Sequence, residues 1–396
     1  MRNPPPRPDT TQLFTPAPLP VATLNPRERL ACLRLIRSEN VGPVAFRELV
    51  NHCGSAEAAL AALPELTRRG GGRRAIRICP ESSAEAELEA AHKVGATPVF
   101  TIEPGYPPLL AQVDVPPPLV YVRGDVDLLA RPAVAIVGSR DCSAAGQKLA
   151  RILAADLGAE GFVIASGLAR GIDGAAHEAA LPTGTIAVLA GGLDIIYPPE
   201  HAGLQRRISE TGCLLTEQPP GFEPRAKDFP RRNRIISGVS YGVIIIEAAR
   251  RSGTLVTARM AGEQGREVFA VPGHPLDPRA EGTNALLKDG ATLVTCAADV
   301  LSALTHVSGR QHTELREADT PRQFHAPIQP PPLPGGDDRQ RIVSALGPAP
   351  IDIDALQRAT GLPIRSVNVI LMELDLAGRI ERHGGQLVSL RPSPPE

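Results

Sequence analysis

Residues 242–248 read Gly-Val-Ile-Ile-Ile-Glu-Ala, a run that is apolar nearly throughout. A strand with one wet face alternates apolar and polar side chains. A run without alternation describes a strand covered on both faces, as in a parallel sheet sandwiched between helices. The pattern recurs on either side: AVAIV at 133–137, FVIAS at 162–166, TIAVLA at 185–190, CLLT at 213–216, EVFAVPG at 267–273 and TLVT at 292–295. Helical stretches, for example 144–158 and 202–211, separate most of them. Seven strands alternating with helices predict an α/β domain built on an open, doubly wound parallel sheet.

Outward from this block the text changes. Residues 27–95 are helical, with Leu30, Leu33 and Ile36 on one face of the first helix, a turn at Ser38–Pro43, and further helices over 56–63 and 84–94. The turn Asn40-Val41-Gly42-Pro43 is similar to a helix-hairpin-helix, which grips DNA backbone through its amides, so this module is read as SAM-like or helix-hairpin-helix-like. Two short strands, 98–102 and 119–123, lead into the sheet, giving a central domain over 96–305. Residues 1–26 are proline-rich and predict a disordered tail; 306–338 are polar and proline-rich and predict a flexible linker. Beyond it, 339–391 read as helix, helix, turn, helix and β-hairpin: a winged helix of DML1-like type, with Asp352 or Asp354 as a cap and Gly361 at the turn. Its third helix offers Arg365, Asn368 and Arg379 against Glu373 and Asp375, a sparse set for reading bases. Backbone contact or protein docking suits it better.

Composition excludes several classes. No segment of the 396 residues has the roughly 18–20 apolar residues of a membrane span, and the N-terminus lacks a secretory pattern. A cytoplasmic protein with no membrane partner is expected. Six cysteines lie too far apart for a zinc knuckle or redox pair and read as small core residues. Net charge is −1, so nucleic-acid binding has to be argued from local clusters.

Ligands of open α/β sheets sit beyond the carboxyl ends of the strands. Those ends carry Gly138-Ser139-Arg140, Ser166-Gly167 with Arg170 and Asp173 following, Gly191-Gly192, and Arg250-Arg251-Ser252-Gly253-Thr254. Glycine, hydroxyls and arginine at four strand ends describe a phosphate-binding rim. Residues 138–146 (GSRDCSAAG) are not GxGxxG, and no GxxxxGK[ST] occurs, so neither a dinucleotide cofactor nor P-loop ATP hydrolysis is supported, and no cofactor is expected. Residues 225–234, RAKDFPRRNR, hold five basic side chains and one acid around Phe229, in a chain with 3% aromatics. Cations that neutralise phosphates beside a ring that stacks bases suit single-stranded nucleic acid.

In order along the chain, VGSR (137–140), SGLARGIDGAAH (166–177), GGLDIIYP (191–198), FPRRNRIISG (229–238), SGTLVTARMA (252–261) and VPG (271–273) resemble the motifs of the DprA family, also called Smf. The resemblance covers about 28–305, with weaker agreement in the winged helix. It implies an extended Rossmann domain that binds and protects incoming single-stranded DNA and loads the RecA recombinase during natural transformation, without catalysis, as a homodimer through that domain. Duplex DNA stays open as a second partner. By resemblance the DNA pocket comprises Gly138, Ser139, Arg140, Phe229, Arg231, Asn233 and Arg234, with Arg232 at a variable position. Ser166, Gly167 and Lys227 complete the candidate site. The chain departs from the family pattern at Pro199 and Ala226, where lysine is usual; Lys227 stands beside the second. The alternative is a nucleotide phosphoribohydrolase of the lysine-decarboxylase-like group, whose PGGxGTxxE glutamate falls on Thr257 here.

Overall fold

The computed structural model of the chain describes residues 23–72, 74–304, 335–383 and 386–391. Helix α1 (Pro26–Arg37) begins where Pro26 supplies a helix-ready φ and Asn25 and Glu28 close a reciprocal capping box. Helix α2 (Pro43–Cys53) also starts on a proline, Pro43, but has no side-chain cap. Helix α3 (Ala56–Arg69) runs through Pro64, well past the predicted end at 63. Leu60, Leu63 and Leu66 form a buried stripe across the proline, and that burial outweighs the hydrogen bond it removes. Helix α4 (Glu81–Lys93) completes the N-terminal module.

Strands β1 (Thr97–Phe100) and β2 (Leu119–Gly124) flank a short helix α5 (Pro108–Ala111). Then follow β3 (Ala133–Gly138), α6 (Ala144–Ala159), β4 (Val163–Ser166), α7 (Ile172–Ala180), β5 (Thr185–Val188), α8 (Ala202–Thr211) and β6 (Cys213–Thr216). The second half holds α9 (Asp228–Gly238), β7 (Gly242–Ile246), α10 (Gly253–Glu263), β8 (Glu267–Ala270), α11 (Glu281–Lys288), β9 (Thr292–Leu293) and a helix entered at 297, α12. The sheet order is β1-β2-β6-β5-β4-β3-β7-β8-β9. The seven strands read from sequence pair in parallel, and β1 and β2 extend the β6 edge in antiparallel fashion.

Every residue of β7 is buried, as the unbroken apolar run requires. Alternate residues serve opposite layers. Val134, Ile136, Ile164 and Ile244 pack with Leu153 and Ala176 of α6 and α7, while Ala135, Val137, Val243 and Ile245 pack with Ile235 and Ala258 of α9 and α10. The order places β4 and β7 on either side of β3, so the strand-end loops of β3, β4 and β5 share one edge.

The winged helix comprises α13 (Gly336–Ala345), β10 (Ile351–Asp352), α14 (Ile353–Thr360), α15 (Ile364–Leu376), β11 (Ile380–His383) and β12 (Leu387–Leu390). Strand β10 joins the hairpin as a third strand. Asp352 is the cap: its carboxylate accepts from the amides of Asp354 and Ala355, and Gly361 turns the chain at φ 66°. The predicted tail and linker lie outside the described residues, except for 23–26 and 335–338. Cys32, Cys79 and Cys213 are buried, and burial pushes the Cys32 and Cys213 thiols up to about 12. Cys296 is exposed, which corrects its reading as a core residue.

Candidate nucleic-acid interface

The loops after β3, β4 and β5 and the first turn of α9 enclose a cavity of about 180 Å³. Arg140, Arg170, Tyr197 and Phe229 line it, with Arg232 behind them. The Arg140 guanidinium carbon stands 5.6 Å from the centroid of the Phe229 ring, within cation–π range. Tyr197 also packs against Phe229: the two ring centroids are 5.0 Å apart and the planes tilt by 51°. Phe229 is half-buried, whereas Tyr197 keeps 46% of its surface and Arg140 is exposed. An aromatic pair with a cation over one ring is thus open to a flat ligand.

Residues 228–234 of the basic segment form the first turns of α9. That corrects the register inside the segment. At 100° per residue, neighbouring arginines point in different directions. Arg232 turns inward, is 6% exposed, and donates to the carbonyls of Val188 and Gly167, the latter at 2.7 Å. Burial pulls its guanidinium down to about 10; Asp173 opposes the shift and Arg140 adds to it. It is a strut beneath the cavity rather than a variable surface residue. Counting FPxRNR from Phe229 agrees, since x falls on Arg231. Arg231 is the outward one, with 58% of its side chain exposed.

Arg231 and Arg234 converge on Glu217, at 3.0 and 2.5 Å. Glu217 follows β6 and its side chain is only 9% exposed. Arg234 also donates to the carbonyl of Val115 and is 19% exposed, so it is held within the wall. Asn233 donates towards the carbonyl of Gly253, tying α9 to α10. Lys227 is exposed at the start of α9.

Three residues of the predicted rim are engaged inside the fold. The Ser166 hydroxyl is fully buried and donates to the carbonyl of Ile136 at 2.6 Å. The Gly167 amide donates to Asp173, whose carboxylate also takes the amide of Ala169. Gly138 is needed for packing: a Cβ there would overlap the carbonyl of Ile246 on β7. Ser139, half-buried, accepts the amide of Ile172 on its carbonyl. Asp173 is therefore a loop brace, and burial raises its carboxyl above the usual range while Arg232 opposes the shift.

Arg170, named in the predicted rim, lines the cavity; Tyr197 lines it too although the sequence alone did not select it, and it stands within the quoted motif GGLDIIYP. Thr257, where the hydrolase glutamate would fall, is buried on α10. Glu200 is the single carboxylate among the lining residues. Among the described residues no group of three or more His, Cys, Asp or Glu is placed to hold a metal ion, and no helix is long and apolar enough to cross a membrane.

Residues 97–305 match the family model for DNA recombination-mediator protein A. The chain belongs to the DprA/Smf family. Two further matches agree with this, a DprA-like N-terminal HHH domain over 26–90 and a DprA winged helix domain over 326–386. Among DprA/Smf relatives, Protein Smf of Escherichia coli is 43% identical over 294 residues, covering 72% of this chain and 75% of its own. DNA processing protein DprA of Streptococcus pneumoniae is 47% identical over 208 residues, covering 52% of this chain and 73% of its own. The X-ray structure of the Streptococcus pneumoniae DprA superposes with a TM-score of 0.59 at 35% identity, over 71% of this chain and 98% of that one. The six motifs that carry the DprA/Smf resemblance all fall inside 97–305.

Proposed function

We propose that this chain binds single-stranded DNA along the carboxyl edge of its sheet and passes it to a recombinase of the RecA class, acting by binding rather than catalysis. The contact of Arg140 and Tyr197 with Phe229 carries this reading. Bases stack on the ring pair, and exposed Arg140, Arg170, Lys227 and Arg231 neutralise backbone phosphates. Arg232, Asp173, Ser166 and Gly138 hold the loops that present those groups, and Glu217 and Arg234 brace the start of α9. Membership of a recombination-mediator family supports the handover to a recombinase, and a homodimer through the central domain follows from the same family resemblance. The division into modules at 27–95, 96–305 and 339–391 belongs to this proposal, as do duplex DNA as a second ligand and a cytoplasmic location.

The reading is tested by titrating the full chain with short single-stranded and duplex oligonucleotides, followed by recombinase filament assembly on the strand. Tighter binding of single strands, and faster assembly in the presence of the protein, are expected. Release of free base from nucleoside monophosphates would instead support the hydrolase.

A further inference from the structure

The winged helix is the motif that the proposed single-strand site leaves unused. In a helix-turn-helix the second helix enters the major groove, and here that helix is α15. Its C-terminal half is covered. Met372 and Leu376 are buried, and both pack into the apolar core of the N-terminal helices rather than that of the winged helix. Polar contacts fix the pose. The Asn40 side chain donates to the carbonyl of Leu376 at 2.9 Å, and Arg379 donates to that of Gly70 at 3.3 Å. Arg382 bridges Glu48 on α2 and Asp375 on α15, at 2.8 and 2.9 Å.

Gly70 shows how close the two modules come. Its φ of −68° and ψ of −3° are ordinary helical values open to any residue. A Cβ there would nevertheless overlap the carbonyl oxygen of Glu373 on α15. Glycine is required at 70 by a helix of another module, not by its own backbone. The first half of α15 is different, because Arg365 and Asn368 remain exposed. A major groove about 12 Å wide admits one helix about 10–12 Å across, and α15 with α2 and α3 attached to its flank is too broad to enter.

We infer that the N-terminal helical module is a mask on the reading helix of the winged helix: docking keeps α15 out of duplex DNA, and undocking delivers Arg365 and Asn368 to a groove. The inference does not depend on where single strands bind.

The test uses the full chain carrying Gly70→Leu, a steric wedge at the contact, and separately Glu48→Arg, which turns the bridge to Arg382 into repulsion. Small-angle scattering reports whether the modules separate, and duplex and single-strand binding are measured at one salt concentration. Separation should come with duplex affinity raised by about five-fold or more, the scale of an intramolecular coupling, and single-strand affinity unchanged. Adding Arg365→Ala and Asn368→Ala should cancel the gain. The mask is overturned if the modules part with no gain, or if the gain survives loss of Arg365 and Asn368. It is equally overturned if neither variant parts them, since the contact is then a permanent weld.

Discussion

Arg140 and Phe229 stand 89 positions apart in sequence, yet the guanidinium carbon of one lies 5.6 Å from the ring centroid of the other. The loop after β3 supplies the cation and the first turn of α9 supplies the ring. A cation suited to phosphate and a ring suited to stacking a base thereby stand side by side. Tyr197, brought by the loop after β5, extends the surface.

Beneath that contact, Arg232 should matter through stability. Arg232→Ala leaves the carbonyls of Gly167 and Val188 without their donor, at about 1–3 kcal/mol each. The denaturant midpoint should fall by a matching amount, whereas Arg231→Ala, on the exposed side, should leave it unchanged. Equal midpoints for the two variants would place α9 in a different helical phase.

Ser166 separates a rim read from sequence from the rim that the fold builds. Its hydroxyl faces Ile136, so Ser166→Ala should cost about 0.5–1.5 kcal/mol of stability and leave oligonucleotide affinity as it is. A loss of affinity without a loss of stability would return Ser166 to the binding surface.

His177 makes the fold sensitive to acid. It is buried beside Thr185, and burial, with help from His201 and Arg232, lowers its pKa from 6.5 to about 3. Above pH 6.5 the imidazole is neutral in both states and contributes no pH dependence. As pH falls from 6.5 towards 3 the unfolded chain takes up the proton first, so stability is lost at up to about 1.4 kcal/mol per pH unit. His177→Gln should remove that slope in stability measured between pH 6 and 4. An unchanged slope would assign the acid sensitivity to other groups.

The architecture was readable because its signals are local: unbroken apolar runs for buried strands, the turn ending at Pro43 before α2, Asp352 and Gly361 around α14; Pro26, read as the end of the tail, instead opens α1. The candidate segment stood out too, since Phe229 lies amid cations in a chain with few aromatics. Direction within it was not. Arg231, Arg232 and Arg234 have the same chemistry, and only the starting phase of α9 decides which one is buried. Ser166 and Gly167 look like any strand-end pair until β3 is laid beside β4. Glu217 offered no signal at all, because its partners lie 14 and 17 positions away on another element. The docking of α15 on α3 depends on a glycine whose own conformation asks for nothing special.

Whether bases stack on Phe229 while Arg140 meets phosphate is decided by single-strand affinity across a salt series for the wild type, Phe229→Ala and Arg140→Ala. Stacking depends little on ionic strength, so Phe229→Ala should lose about 1–3 kcal/mol at every salt concentration with the same slope. Arg140→Ala should lose affinity and flatten the plot of log affinity against log salt by about 0.7, the signature of one phosphate contact. Melting temperatures of both variants should stay near the wild-type value. Unchanged affinity in both variants, or a Phe229→Ala loss that only tracks a fall in melting temperature, would show that the strand does not bind at this contact.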